Sequence, residues 1–152
     1  MEPNALAALI QNLIVAVEKR VPEYLTVDAD RKLNDGNCAL CIINEAGEVY
    51  GKMFGNDKVR RRHVFRIAWA KASQVWITGY KTGEYERLVF DGEVDEKQFG
   101  IIRPDFIGWI GGQPIVVDAQ TKLSIGFSGF RGTSDLEIVQ KAVAGVVGRE
   151  AK

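Results

Sequence analysis

The sequence predicts an α/β domain of the α+β type: a central, mainly antiparallel sheet of about five strands flanked by helices. Three observations predict it. Apolar residues recur at helical spacing near both ends of the chain and again in its middle. Two pairs of short apolar runs are each separated by turn-forming residues, and no internal repeat, linker or low-complexity tract interrupts the 152 residues. With 46% hydrophobic content, residues 1–152 carry enough apolar material for one core and are too few for two domains of ordinary size.

The first helix is expected over about residues 4–20. Leu6, Leu9, Ile10, Leu13 and Val17 form a stripe, and Ala5, Ala8, Ile14, Val15 and Ala16 make the remainder nearly apolar. Such a helix needs cover on two sides, which points either to a homo-oligomer assembled through helix 1 or to a helix sunk in its own core. From Val21 to Asn37 the chain is polar, with Asn34-Asp35-Gly36 as turn chemistry, and reads as loop. A hairpin follows, Cys38 to Asn44 and Glu48 to Phe54, turning on Glu45-Ala46-Gly47. Cys38 and Cys41 have C-x-x-C spacing. On a strand, residues three apart point to opposite faces, so the two are expected as buried small hydrophobes and not as a metal pair or a disulfide.

After Gly55-Asn56 a second helix carries Val64, Ile67, Ala68, Ala72, Val75 and Trp76 and ends near Thr78-Gly79. Residues 79–110 mix aromatics with charges, with turns at Asp91-Gly92 and Arg103-Pro104-Asp105. A second hairpin, Ile115 to Val117 and Lys122 to Phe127, turns on Asp118 to Thr121. The last helix starts near Asp135 with Leu136, Val139, Val143, Val146 and Val147 inward.

Several function classes lose support at once. Lys plus Arg equals Asp plus Glu at 20 each, so no global field draws the protein to nucleic acid or to an anionic membrane. The apolar run from Ala5 to Val17 is broken by Gln11-Asn12 and too short to span a bilayer, and the start Met-Glu-Pro-Asn lacks the basic lead of an export signal; a cytoplasmic location is the expectation. His63 is the one histidine, and no zinc-ligand spacing exists. Gly129 to Asp135 lacks the Gly-Lys-Ser/Thr of a phosphate loop, and Ile125 to Phe130 lacks the second glycine of a nucleophile elbow.

Particular motifs carry a resemblance. They are Ala46-Gly47 with Lys52-Met53 and Gly55, then Ile67-Ala68 with Lys71-Ala72, Gly111-Gly112-Gln113-Pro114-Ile115, Ile125-Gly126-Phe127-Ser128-Gly129, and Ser134-Asp135 before Val139-Gln140-Lys141-Ala142. In this order, over roughly residues 36–148, the chain resembles the GlcG/HbpS family of heme-binding proteins, which includes the C-terminal domain of PduO-type cobalamin adenosyltransferases. The resemblance implies a profilin-like single domain, a homo-oligomer, and heme as the cofactor. Departures stand beside it. The stretch between Met53 and Lys71 is longer than the family's spacing and carries Arg60-Arg61-Arg62-His63, and Phe54-Gly55 stands where the family has an acidic residue and a glycine.

The candidate site gathers around the last third of the chain, where strand, glycine turn and helix start line up backbone N–H groups for an anion or carboxylate. Gly111 and Gly112 allow close backbone approach, and Trp109 supplies a flat apolar wall. Arg61 and Arg62 are suited to clamp carboxylates, and cations at a helix N-terminus ask for an anionic partner, either a ligand or an acid of a neighbouring subunit. His63 is a candidate heme-iron ligand or general base, or a solvated histidine. Lys71 is a pocket cation or the solvent end of an amphipathic face. Arg131, with Ser134 or Asp135 as helix cap, can hold a carboxylate. Two readings follow. One is a small-molecule-binding protein that takes heme or a similar flat, carboxylate-bearing ligand through Arg61, Arg62, His63, Lys71, Trp109, Gly111, Gly112, Arg131 and Ser134. The other is a cofactor-free acid/base enzyme (an isomerase, hydratase or lyase) that uses His63, Asp105 and Arg131 on a small organic acid in a catabolic pathway.

Overall fold

The computed structural model describes residues 1–101 and 108–150, the side chains of residues 149 and 150 excepted. In chain order the elements are α1 (Pro3–Leu25), α2 (Asp28–Arg31), β1 (Cys38–Asn44), β2 (Val49–Phe54), α3 (Lys58–Thr78), α4 (Thr82–Phe90), a 3-10 turn (Glu96–Phe99), β3 (Gly112–Asp118), β4 (Thr121–Ser128) and α5 (Gly132–Glu150). The four strands are all antiparallel in the order β2-β1-β4-β3. The described residues therefore hold four strands where about five were expected. The segment after α3 folds as α4 and the 3-10 turn because Thr82 and Tyr85, three apart, both turn inward, and Tyr85 packs on Tyr80 and edge-on to Phe99. A helical period, not an alternating one, governs that stretch.

Alternation along β1 divides the core in two. Cys38, Leu40 and Ile42 join Leu123, Ile125 and Phe127 beneath α1 and α5, while Ala39, Cys41 and Ile43 meet Val64, Ala68 and Ala72 of α3 on the other face. The two cysteines are accordingly free, buried and on opposite faces, as the strand reading requires; burial pushes each thiol up to about 12. No helix of the described residues is long and apolar enough to cross a membrane.

α1 runs past its expected end near residue 20 to Leu25, through Pro22. Val21 and Tyr24 continue the buried stripe from Val17, and Tyr24 stacks on Phe130 at 5.5 Å, so burial outweighs the lost backbone bond. Both sides of the α1 stripe are covered within the chain by α5 and the sheet, with Val15 left exposed. β3 begins at Gly112, earlier than expected, and tolerates Pro114 because it is an edge strand. α5 begins at Gly132, so Ser134 and Asp135 lie in its first turn and not at its cap.

α3 starts as the sequence suggests. Asp57 caps it, its Oδ1 accepting from the N–H groups of Val59 (2.9 Å) and Arg60 (3.1 Å), and Gly79 ends it with φ 79°. The buried Asn37 ties this start to the sheet: its Oδ1 accepts from the backbone N–H of Asn56 and of Asp57, both at 3.1 Å.

Candidate functional site

Where β4 ends, α3 and α5 are joined around the sheet by one side chain. Lys71 is almost fully buried, and its Nζ donates to Ile110 O (2.9 Å), Phe127 O (2.9 Å) and Asp135 Oδ2 (3.2 Å). All three ammonium donors are thereby used. Asp135 Oδ1 in turn accepts from Phe130 N at 2.9 Å. Gly111, at φ 131°, lies directly over this pair: a Cβ there would sit 2.7 Å from Lys71 Nζ and from Phe127 O. Gly112 is held by Thr82, whose hydroxyl donates to Trp109 O at 2.6 Å and accepts from Gly112 N at 3.3 Å.

Burial raises the Asp135 carboxyl to about 7 against the lowering effects of Lys71 and the Phe130 N–H, and burial lowers Lys71 against the pull of Asp135. An unfolded Asp titrates near pH 3.9. Between about pH 4 and 7 the folded state therefore binds more protons than the unfolded one, and this group's contribution to stability, fully present at the acid end, is lost as pH rises. Urea midpoints measured from pH 4 to 8 are expected to show a component that falls with pH in wild type and is missing in Asp135→Asn. An identical pH profile in the two proteins would exclude it.

A second cluster lies nearby on the α2 side. Asp30, 1% exposed, accepts from Arg131 N and Nε at 3.0 Å each, from Arg131 Nη2 at 3.3 Å and from Ser134 Oγ at 2.9 Å. Burial raises the Asp30 carboxyl, and these bonds outweigh it, holding the group below the usual carboxylate range. Arg131 and Ser134 thus hold a carboxylate, as their chemistry suggests, but the carboxylate belongs to the chain.

The remaining expected site residues lie apart from these clusters. Arg62 and His63 are exposed on α3, and Arg61 is half-buried there. Trp109 is 64% exposed on the loop before β3. Asp105 lies outside the described residues. Lys71, Gly111 and Gly112 come together, Arg131 and Ser134 come together, and His63 joins neither group. Lys71 is a lock and not the solvent end of a helix face.

A groove that local sequence pattern does not reveal lies between the outer sides of α1 and α5. It has a volume of about 590 Å³ and is floored by Val15, Ala16, Ala142, Val146 and Gly145, with Asn12, Lys19, Arg20, Glu23 and Lys141 at its rim. A Cβ on Gly145 would meet nothing within 4 Å, so the floor is open there. At the rim Glu23 pairs with Arg20 at 3.4 Å and with Lys141 at 3.7 Å, and Lys141 also pairs with Glu137 at 3.0 Å, so a ligand acid there competes with the chain's own carboxylates. The volume is within the range of small-molecule sites, about 300–1,000 Å³. The available signal was the residue left apolar on the outer side of α1, Val15, with Lys19 one turn on.

No protein-family model and no curated protein sequence matches this chain. Solved structures do. The chain is similar to Klebsiella pneumoniae protein ORFY of the family DUF336 (20% identity, 93% of this chain and 88% of that one, TM-score 0.66). It is also similar to PduOC in its complex with heme (18%, 91% and 92%, TM-score 0.70). A double mutant of Streptomyces reticuli HbpS follows (14%, 88% and 84%, TM-score 0.55). At these identities the likeness is one of fold, and the fold is that of the GlcG/HbpS, DUF336 and PduOC structures that the motifs of this chain resemble.

Proposed function

We propose that this protein is a small ligand-binding protein and that the α1–α5 groove takes heme or a comparable flat, carboxylate-bearing molecule. The observation that carries the reading is the groove itself, lined by Val15, Ala16 and Val146 together with Lys19, Arg20 and Lys141, in a fold shared with a heme complex. Apolar floor and cationic rim suit the faces and the acids of such a ligand. The lining contains no imidazole, thiolate or thioether, so heme seated here would be held chiefly through its macrocycle and carboxylates. His63 is on α3, across the sheet from this groove.

Titration of the protein with hemin, followed by absorbance, is expected to saturate near one equivalent. Gly145→Phe is expected to weaken binding at least tenfold while leaving the thermal unfolding midpoint in place or raising it, because the new side chain enters open space and a helical glycine is replaced. His63→Ala is expected to leave the Soret band unchanged. A band shifted by His63→Ala would move the site to α3, and the absence of saturable binding would overturn the reading in favour of smaller organic acids.

A further inference from the structure

Among the described residues β2 is an edge strand, with no strand paired on its far side. Asn44 N donates to Glu48 O at 3.1 Å, and the register pairs Ile42 with Tyr50, Leu40 with Lys52 and Cys38 with Phe54. Bonded pairs recur at every second residue of an antiparallel ladder, so Glu48, Tyr50, Lys52 and Phe54 face β1 with their backbone groups. The N–H and C=O of Val49, Gly51 and Met53 point to the open edge, six groups in all.

The side chains of Val49 and Met53 lie on the α3 face, where α3 packs mainly on β1 and β4 and reaches β2 at Phe65. Val49 is 52% and Met53 46% exposed. Beside them, Phe65, Trp69 and Trp76 form a stripe along α3 at spacings of four and seven, with Trp69 and Trp76 48% and 46% exposed. Phe65 lies over Gly51, its ring 3.0 Å from where a Cβ would stand. Trp76 lies over the β1–β2 turn, its Nε1 donating to Asn44 O at 3.0 Å. Large apolar side chains left exposed on an unpaired strand and on the helix beside it mark an interaction surface.

We infer that this surface binds a second copy of the same chain, β2 pairing with β2 about a two-fold axis through Gly51. That axis matches Gly51 with Gly51, Val49 with Met53 and Met53 with Val49, so all six outward backbone groups find partners and the sheet grows from four strands to eight. Two Val49–Met53 pairs form on the α3 face, and the absent side chain at Gly51 leaves the axis open to the two Phe65 rings.

Charge supports the same partner and the same register. The axis sets the two α3 helices antiparallel, so the basic start of one, with Arg61 and Arg62, meets the β1–β2 turn of the other, with Glu45 and Glu48. The start of α3 carries no acid in its first turn, cations there oppose the helix dipole, and Arg61 Nε is shielded from solvent with no hydrogen-bond partner in the monomer. Carboxylates of the second copy add to the Asp57 cap and give Arg61 Nε a partner.

Sedimentation of the full chain is expected to give a dimer or a multiple of one. Trp69→Glu is expected to shift it at least tenfold toward the smaller species. Val49→Pro, which removes an N–H directed at the edge and none directed at β1, is expected to do the same. Arg62→Glu should weaken assembly, and adding Glu45→Arg should restore it, a rescue that a merely structural role would not produce. Circular dichroism separates dissociation from unfolding; if Val49→Pro does not fold, Trp69→Glu and the charge swap decide. A monomeric wild type, or an assembly indifferent to Trp69→Glu and the charge swap, would overturn the inference. Gly145→Phe is expected to leave assembly intact, so failure of the groove and failure of this interface are distinguishable.

Discussion

Lys71→Met is expected to destabilise the protein by about 3–5 kcal/mol, because it leaves the Asp135 carboxyl and two carbonyls buried without their shared donor. The mutant side chain is similar in length and fills the same space, so the loss is not one of packing. What disappears is the ammonium that holds Ile110, Phe127 and Asp135 together and, through them, the loop before β3, the end of β4 and the first turn of α5. Asp135→Asn in the same chain neutralises the stranded charge while its amide oxygen still accepts from Phe130 N. The two changes should therefore be non-additive, with a coupling of about 1 kcal/mol or more in a urea-denaturation cycle. A loss below about 1 kcal/mol for Lys71→Met would mean that the lysine is not a structural lock.

Gly126→Val is expected to be as severe by a different route. A Cβ at Gly126 runs into the Ala68 carbonyl and stands 2.7 Å from Ala72 N and 2.9 Å from Lys71 Cβ, so the obstacle is the helix backbone and not the end of a flexible side chain. Even Gly126→Ala must push α3 off β4, at about 1–3 kcal/mol for an overpacked contact. Valine adds two methyl groups in the same place and draws Lys71 away from its acceptors. Thermal melts of the Ala and Val variants should fall in that order; a Val variant as stable as wild type would show that α3 does not pack on β4 as described.

The hairpins were legible because each depends on neighbours in the chain. Alternation, Glu45-Ala46-Gly47 and Asp118 to Thr121 placed β1, β2, β3 and β4 within a few residues of their ends, and the same alternation separated Cys38 from Cys41. α3 was legible for the same reason, from after Gly55-Asn56 to Thr78-Gly79. α4 was not, since its inward residues are Thr82 and Tyr85, which carry weak apolar signal among charges. The site was legible in part. Of the residues offered as one ligand site, Lys71 lies with Gly111 and Gly112, and Arg131 with Ser134, each group closed on the chain's own atoms.

Two buried acids changed the meaning of those residues. Asp30 looked like loop chemistry and Asp135 like a cap, yet each is almost wholly buried and occupies cations that a ligand was expected to meet. Such pairings join residues 64 and 101 positions apart, and local pattern carries no information about which distant partner a charge will find. The sequence by itself determined both hairpins and the long helices, because periodicity and turn chemistry act within a few residues. Only the tertiary structure decided which charges are neutralised inside, which groove stays open and which strand edge is bare, because these depend on the packing of helices onto opposite faces of one sheet.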